Sequence, residues 1–141
     1  MTSFKLDENQ LRYINTFFTL TNVEVMEVAE NDENIFFIIY PNTLKRAIDK
    51  NGEKVKKVKE MLNKNIIIVE YSDDIERFVY NLFYRFNVKD IKIEKIGDSY
   101  KINVKVDPAN KARAIGKNGR NLKTTKEILD RHFGMIKCQF W

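Results

Sequence analysis

The sequence has little of what metal sites, disulfide scaffolds and membrane segments require. It contains one cysteine, Cys138, and one histidine, His132, so the chain alone can form neither a disulfide framework nor a Cys/His metal site. Its most apolar stretches, NIFFIIYP and NIIIVEY, are too short for a transmembrane helix, and no signal peptide is evident. These absences predict a soluble, cytoplasmic protein without metal, cofactor or membrane association.

Charge is unevenly distributed along the chain. The formal net charge is +5. Residues 1–73 carry 10 Lys and Arg against 12 Asp and Glu, whereas residues 74–141 carry 15 against 8. The basic character therefore belongs to the second half, which predicts a polyanionic partner bound mainly there.

A short glycine-containing sequence occurs twice. Residues 47–53 read AIDKNGE and residues 114–120 read AIGKNGR, 67 positions later. The same offset aligns further identical residues: Asp7 with Asp74, Tyr13 with Tyr80, Glu27 with Glu94, Pro41 with Pro108, Arg46 with Arg113, and Leu62 with Leu129. Two copies of one small module explain this pattern, and we expect domains at residues 1–72 and 73–141.

The pattern of each copy predicts an α+β module. A segment with helical spacing of apolar residues opens it, and two strands follow; in the second strand Ile102, Val104 and Val106 alternate with polar residues. A short helix follows the proline, then the glycine motif, a longer helix and a last strand. We expect Ser72 or Asp73 to cap the first helix of the second copy. No Gly/Ser/Pro-rich linker separates the copies, which predicts a rigidly joined tandem.

The turn Gly116-Lys117-Asn118-Gly119 has the chemistry of an anion site. The start of a helix presents unpaired N–H groups and partial positive charge. Glycine lacks a Cβ and lets a ligand approach the backbone closely. From Lys111 to Lys126, both included, the sequence has six Lys and Arg and no acid. Taken alone, the motif also fits an ordinary glycine at a helix C-cap. Its position between two helices of a basic module that occurs twice favours contact with phosphate groups instead.

The order helix-strand-strand-helix-GxxG-helix-strand resembles the type II KH domain, an RNA-binding module. Two such modules without a linker, covering nearly the whole chain, resemble the archaeal NusA-like family. The resemblance implies a three-stranded sheet packed by helices in each module and binding of single-stranded RNA without enzymatic activity. It also implies a role in transcription elongation, termination or antitermination, with RNA polymerase or transcription factors as further partners.

The candidate RNA-binding residues lie in or beside the two glycine loops. They are Lys111, Arg113, Ile115, Gly116, Lys117, Asn118, Gly119, Arg120 and Lys123 in the second copy, and Lys50, Asn51, Gly52 and Lys54 in the first. Ile115 and Leu122 belong either to the core or to an apolar groove floor shared with residues 102–106. In the first copy Asp49 replaces the first glycine, which adds a Cβ and a negative charge. We expect the second copy to clamp RNA and the first to extend the surface.

Other functions remain as alternatives to nascent-transcript binding. A KH protein of this kind could bind ribosomal RNA, or could act as a protein-interaction scaffold with little RNA affinity. An enzyme is not indicated, because the sequence has neither the G-x-x-x-x-G-K-[ST] spacing of a Walker loop nor a Ser-His-Asp or zinc constellation.

Overall fold

The computed structural model describes residues 7–49 and 51–140. The chain divides after Tyr71 into two compact units. Each unit has one three-stranded sheet packed by helices, so the predicted α+β class is confirmed. The elements of the first unit are α1 (Glu8–Thr21), β1 (Val25–Glu30), β2 (Asn34–Ile39), α2 (Leu44–Ala47), α3 (Glu53–Leu62) and β3 (Asn65–Glu70).

The second unit repeats this order with longer elements around its glycine loop. They are α4 (Ile75–Phe83), a 3₁₀ turn (Tyr84–Phe86), β4 (Val88–Ile96), β5 (Ser99–Val106), α5 (Pro108–Ile115), a 3₁₀ turn (Lys117–Gly119), α6 (Arg120–Phe133) and β6 (Met135–Phe140). Helix α5 has 8 residues where α2 has 4, and α6 has 14 where α3 has 10.

The middle strand of each sheet is the second strand of the hairpin. Strand β2 runs antiparallel to β1 and parallel to β3, and β5 runs antiparallel to β4 and parallel to β6. Parallel strands need a crossover connection. In each unit that connection consists of two helices with the glycine loop between them. The parallel strands at the two ends of the connection therefore fix the position of both helices and of the loop.

Buried apolar side chains form a core in each unit. Every residue of β2 is buried, and the ring of Phe17 in α1 stacks on Phe37 with 4.5 Å between centroids. In β5, Ile102, Val104 and Val106 are buried while Lys105 is exposed, which confirms the predicted alternation. The burial of these strand residues holds the sheet against the helices.

The first helix of each unit begins after an aspartate at equivalent positions of the repeat. Asp7 caps α1, and the Oδ1 atom of Asp74 accepts a hydrogen bond from the N–H of Glu76 at the start of α4. The prediction of a Ser72 or Asp73 cap is therefore wrong. The Ser72 hydroxyl lies two residues before the Asp74 cap and instead accepts a hydrogen bond from the Asp74 N–H.

None of the helices within residues 7–49 and 51–140 is long and apolar enough to cross a bilayer.

Candidate nucleic-acid interface

A tight left-handed turn joins α5 to α6 in the second unit. Gly116 ends α5 with φ 80° and ψ 164°, and its N–H donates to the Ala112 carbonyl oxygen at 2.9 Å. Asn118 (φ 58°) and Gly119 (φ 72°) are both left-handed. The Gly119 N–H donates to the Gly116 oxygen at 3.0 Å, which closes the turn.

The two glycines of this turn have different surroundings. A Cβ on Gly116 would lie 3.0 Å from the backbone nitrogen of Asn121 and 3.1 Å from Cγ of Arg120. A Cβ on Gly119 would meet nothing within 4 Å. Gly116 therefore lets α5 pack closely against the start of α6, whereas Gly119 leaves open surface where another molecule can approach the backbone.

A buried amide side chain ties the two helices together. The Nδ2 atom of Asn121 donates to the carbonyl oxygen of Arg113 at 3.1 Å, and Nε of Arg120 donates to the carbonyl oxygen of Lys117 at 3.2 Å. Sequence reasoning missed Asn121. The signal was a polar residue on the buried stripe of α6, which continues through Thr124, Thr125, Ile128 and Leu129 at helical spacing.

The start of α6 is positively polarised and carries no neutralising acid. No side chain caps it, because Gly119 is the N-cap residue, and its first turn contains no Asp or Glu. Lys117 and Asn118 in the turn are exposed, and so are Lys111, Arg113 and Lys123 on the flanking helices. Arg120 is half-buried. Helix polarity and side-chain charge together make this an anion-attracting surface.

The apolar residues near the loop fall into two groups. Ile102, Val104 and Val106 are buried in the core, so they offer little surface to a ligand. Ile115 and Leu122 are half-buried and remain in part accessible. The apolar surface beside the turn therefore comes from the helices rather than from β5.

The loop of the first unit has the same closing hydrogen bond but a different interior. Lys50 lies outside the described residues. The Gly52 N–H donates to the backbone carbonyl oxygen of Asp49 at 3.1 Å, and Gly52 is left-handed with φ 66°. Asn51 is exposed and Lys54, which replaces Asn121, is half-buried. Oδ1 of Asp49 is buried and has no hydrogen-bond partner among residues 7–49 and 51–140, so one carboxylate oxygen lies inside this turn.

The single cysteine and the single histidine are both packing residues. Cys138 lies in β6 opposite Ile102 of β5, and burial raises the pKa of its thiol to about 12. The His132 ring lies edge-on to Phe78 with 5.9 Å between centroids. Within the described part of the chain no group of three or more His, Cys, Asp or Glu side chains could hold a metal ion.

The predicted site residues thus form one continuous basic surface within the second unit, from α5 through the turn into the first two turns of α6. The described candidates of the first unit surround its own, partly acidic turn.

Comparison with known proteins agrees with this geometry. Residues 75–138 match the family model of the NusA-like second KH domain. A probable transcription termination protein NusA of Thermoplasma acidophilum is 32% identical over 135 residues, covering 96% of this chain and 94% of the relative. The protein of the same name from Methanocaldococcus jannaschii is 31% identical, over 99% of this chain and 76% of the relative.

A solved structure shares the fold. The crystal structure of APE1850 superposes with a TM-score of 0.69 at 32% sequence identity, over 95% of this chain and all of that one. The relatives match along nearly the whole chain, both units included, and the family model matches the unit that contains the intact glycine loop. The chain therefore belongs to the archaeal NusA-like family of tandem KH proteins.

Proposed function

We propose that this protein binds single-stranded RNA through the glycine loop of its second unit and acts in transcription elongation, termination or antitermination. The observation that carries the proposal is the uncapped start of α6 beside an exposed, acid-free turn. The names of its relatives, which designate probable transcription termination proteins, support the transcriptional role. The activity is binding, without catalysis or cofactor, and its place is the cytoplasm.

The RNA backbone is held at the turn. Amide groups and the side chains of Lys117 and Asn118 contact phosphates, and the open surface at Gly119 admits the sugar-phosphate chain. Lys111, Arg120 and Lys123 add electrostatic attraction. Bases splayed from this backbone contact the accessible parts of Ile115 and Leu122. No aromatic residue flanks the turn in sequence, so backbone clamping and base-edge hydrogen bonds outweigh stacking.

The two domains, residues 1–72 and 73–141, divide the work. The carboxylate of Asp49, whose Oδ1 atom is buried, places negative charge in the first turn, which disfavours a phosphate there. The first domain then extends the RNA-contacting surface with Asn51, Gly52 and Lys54 at lower affinity. RNA polymerase or transcription factors are the protein partners of the whole chain in this proposal.

Fluorescence anisotropy with a short single-stranded RNA tests this proposal. We expect Lys117→Asp/Asn118→Asp to weaken binding at least tenfold, because two carboxylates replace a cation and an amide at the phosphates. The matched control is Lys50→Asp/Asn51→Asp in the first turn, which should retain most of the affinity. A plot of log K against log salt has a negative slope, and the size of that slope should decrease by about 1 to 2 in the loop variant because phosphate contacts are lost.

Two results would contradict the proposal. Equal losses of RNA affinity in the two double variants would show that the two glycine loops contribute equally to binding, against the proposed difference between the domains. No RNA binding by the native chain, or binding indifferent to the Lys117/Asn118 change, would favour a protein-interaction scaffold. Competition between a transcript-derived RNA and ribosomal RNA fragments separates the two RNA targets.

A further inference from the structure

A second cationic feature lies at the end of α4, outside the glycine loop. The 3₁₀ turn Tyr84–Phe86 follows the helix, and left-handed Asn87 (φ 59°) ends it. Arg85 is exposed on this turn, and its guanidinium carbon lies 4.2 Å from the centroid of the Phe86 ring. Phe86 is itself buried, so a fixed aromatic ring supports the arginine at the surface.

Hydrogen bonds attach this turn to α5. Nδ2 of Asn110 donates to the Phe86 carbonyl oxygen at 3.1 Å, and the Asp107 N–H donates to the Asn87 carbonyl oxygen at 3.2 Å. On its other side Asn110 accepts, through Oδ1, a hydrogen bond from Nη2 of Arg113. One amide side chain therefore anchors the turn that carries Arg85 and orients the guanidinium of Arg113.

Asn110 links Arg113 to the turn that carries Arg85, which brings the two guanidinium groups near each other. Arg85 is exposed in part, but packing around its guanidinium desolvates it; this desolvation, and after it the charge of Arg113, lowers the pKa of Arg85 to about 10, so Arg85 stays protonated at neutral pH. Within residues 7–49 and 51–140 neither forms an ion pair with a carboxylate. Two neighbouring cations repel each other, and a bound anion relieves that repulsion.

The first unit lacks this pair. At the repeat offset Phe18 stands in place of Arg85 and Thr43 in place of Asn110, while Arg46 matches Arg113. Phe18 is 45% exposed and belongs to α1, which runs on to Thr21 without a 3₁₀ turn. The arginine pair is therefore particular to the basic unit with the intact glycine loop.

We propose that Arg85 and Arg113 form a second phosphate site, which binds a phosphodiester of the same RNA strand beyond the nucleotides held at the glycine loop. The proposal rests on the proposed function. Arg113 lies three residues before Gly116, about 4.5 Å of helical rise, so the pair continues the basic surface of the loop. Guanidinium groups suit this role because their planar fork matches two oxygens of a phosphate.

RNA length separates this site from the loop. A KH loop holds about four nucleotides, so a 4-mer fills the loop alone and a 10-mer also reaches the arginine pair. We expect Arg85→Ala to weaken the 10-mer about three- to tenfold, to lower its salt slope by about 1 and to leave the 4-mer unchanged. Arg85→Lys, which keeps the charge but loses the fork, should give an intermediate loss.

The control is Arg77→Ala on α4, an exposed arginine whose loss changes the net charge equally. Equal 10-mer affinities for the Arg77 and Arg85 variants would overturn the inference, even while Lys117→Asp/Asn118→Asp still abolished binding. No binding of either RNA by the native chain would instead defeat the proposed function. Thermal denaturation monitors folding of each variant; should Arg85→Ala unfold, the Arg85→Lys comparison on both RNAs decides.

Discussion

At the scale of single residues, Gly116 and Gly119 share a motif but not a physical constraint. The φ and ψ of Gly116 lie in a region open almost only to glycine, and a Cβ there would press on the Asn121 nitrogen. Gly119 is left-handed with open space around it. A Cβ there would contact no neighbouring atom, so a substitution costs only the energy of placing a non-glycine residue in the left-handed conformation.

We therefore expect unequal losses of stability from the same substitution. Gly116→Ala should lower the free energy of unfolding by about 3 kcal/mol, and Gly119→Ala by about 1 kcal/mol. Urea denaturation followed by circular dichroism measures both. Equal losses would show that the close approach of Gly116 to α6 contributes nothing. For RNA affinity we expect the opposite order: Gly119→Ala should weaken binding more than Gly116→Ala, because Gly119 is the glycine with an open outer surface.

Single residues were also where sequence reasoning reached its limit. The glycine loop and its lysines were recognisable, because the motif is local and the repeat provided a comparison. Asn121 and Arg85 were not recognisable, because their roles depend on partners that folding brings close. Asn121 binds the carbonyl oxygen of Arg113. Arg85 lies on a turn that Asn110 connects to the Arg113 side chain. The sequence showed Asp49 as a departure from the motif, but the burial of its Oδ1 atom is a property of the folded turn.

At the scale of helices and strands, most of the pattern could be predicted, because periodicity and turn residues act locally. Strand β5 alternates as expected, and Pro108 occupies the first turn of α5. The equivalent Pro41 does not begin a helix. Asn42 after it is left-handed and its N–H donates to Oε1 of Glu70, so α2 starts only at Leu44. That contact comes from β3, 28 residues away, and is invisible to local propensity.

The corrected helix cap gives a prediction at this scale. Asp74→Ala should lower the free energy of unfolding by about 1 kcal/mol, because it removes an acceptor for the amides at the start of α4. Asp73→Ala is the matched control, since it removes the same charge from the adjacent exposed position. Chemical denaturation compares the two. A greater loss for the Asp73 variant would restore the original assignment of the cap.

At the scale of the whole molecule, the two units each have a sheet and a set of buried apolar residues of their own. We expect a fragment of residues 72–141 to fold alone and to unfold cooperatively, with a small free energy of unfolding because a domain of this size buries little surface. It should also keep most of the affinity for a short RNA. Circular dichroism and anisotropy check the two parts; a fragment that is unfolded until residues 1–71 are added would contradict independent folding.

The rigid joining of the units stays a prediction from the sequence. It rests on the absence of a linker-like segment around Ser72 and Asp73. Small-angle scattering of the full chain tests it, because a fixed tandem and two independently moving units give different distance distributions.

The crossover between parallel strands also has a consequence for the order of folding. The hairpin β4–β5 joins neighbours in sequence, whereas Ser99 of β5 meets Met135 of β6 only after the intervening chain has closed. Closing such a loop costs entropy before its contacts repay it, so the hairpin should form early and β6 should dock late. The glycine turn lies inside the closing segment. The hydrogen bonds of the turn are local, but the helices on its two sides lead to β5 and β6, so a ligand that holds them together at the turn should slow the detachment of β6.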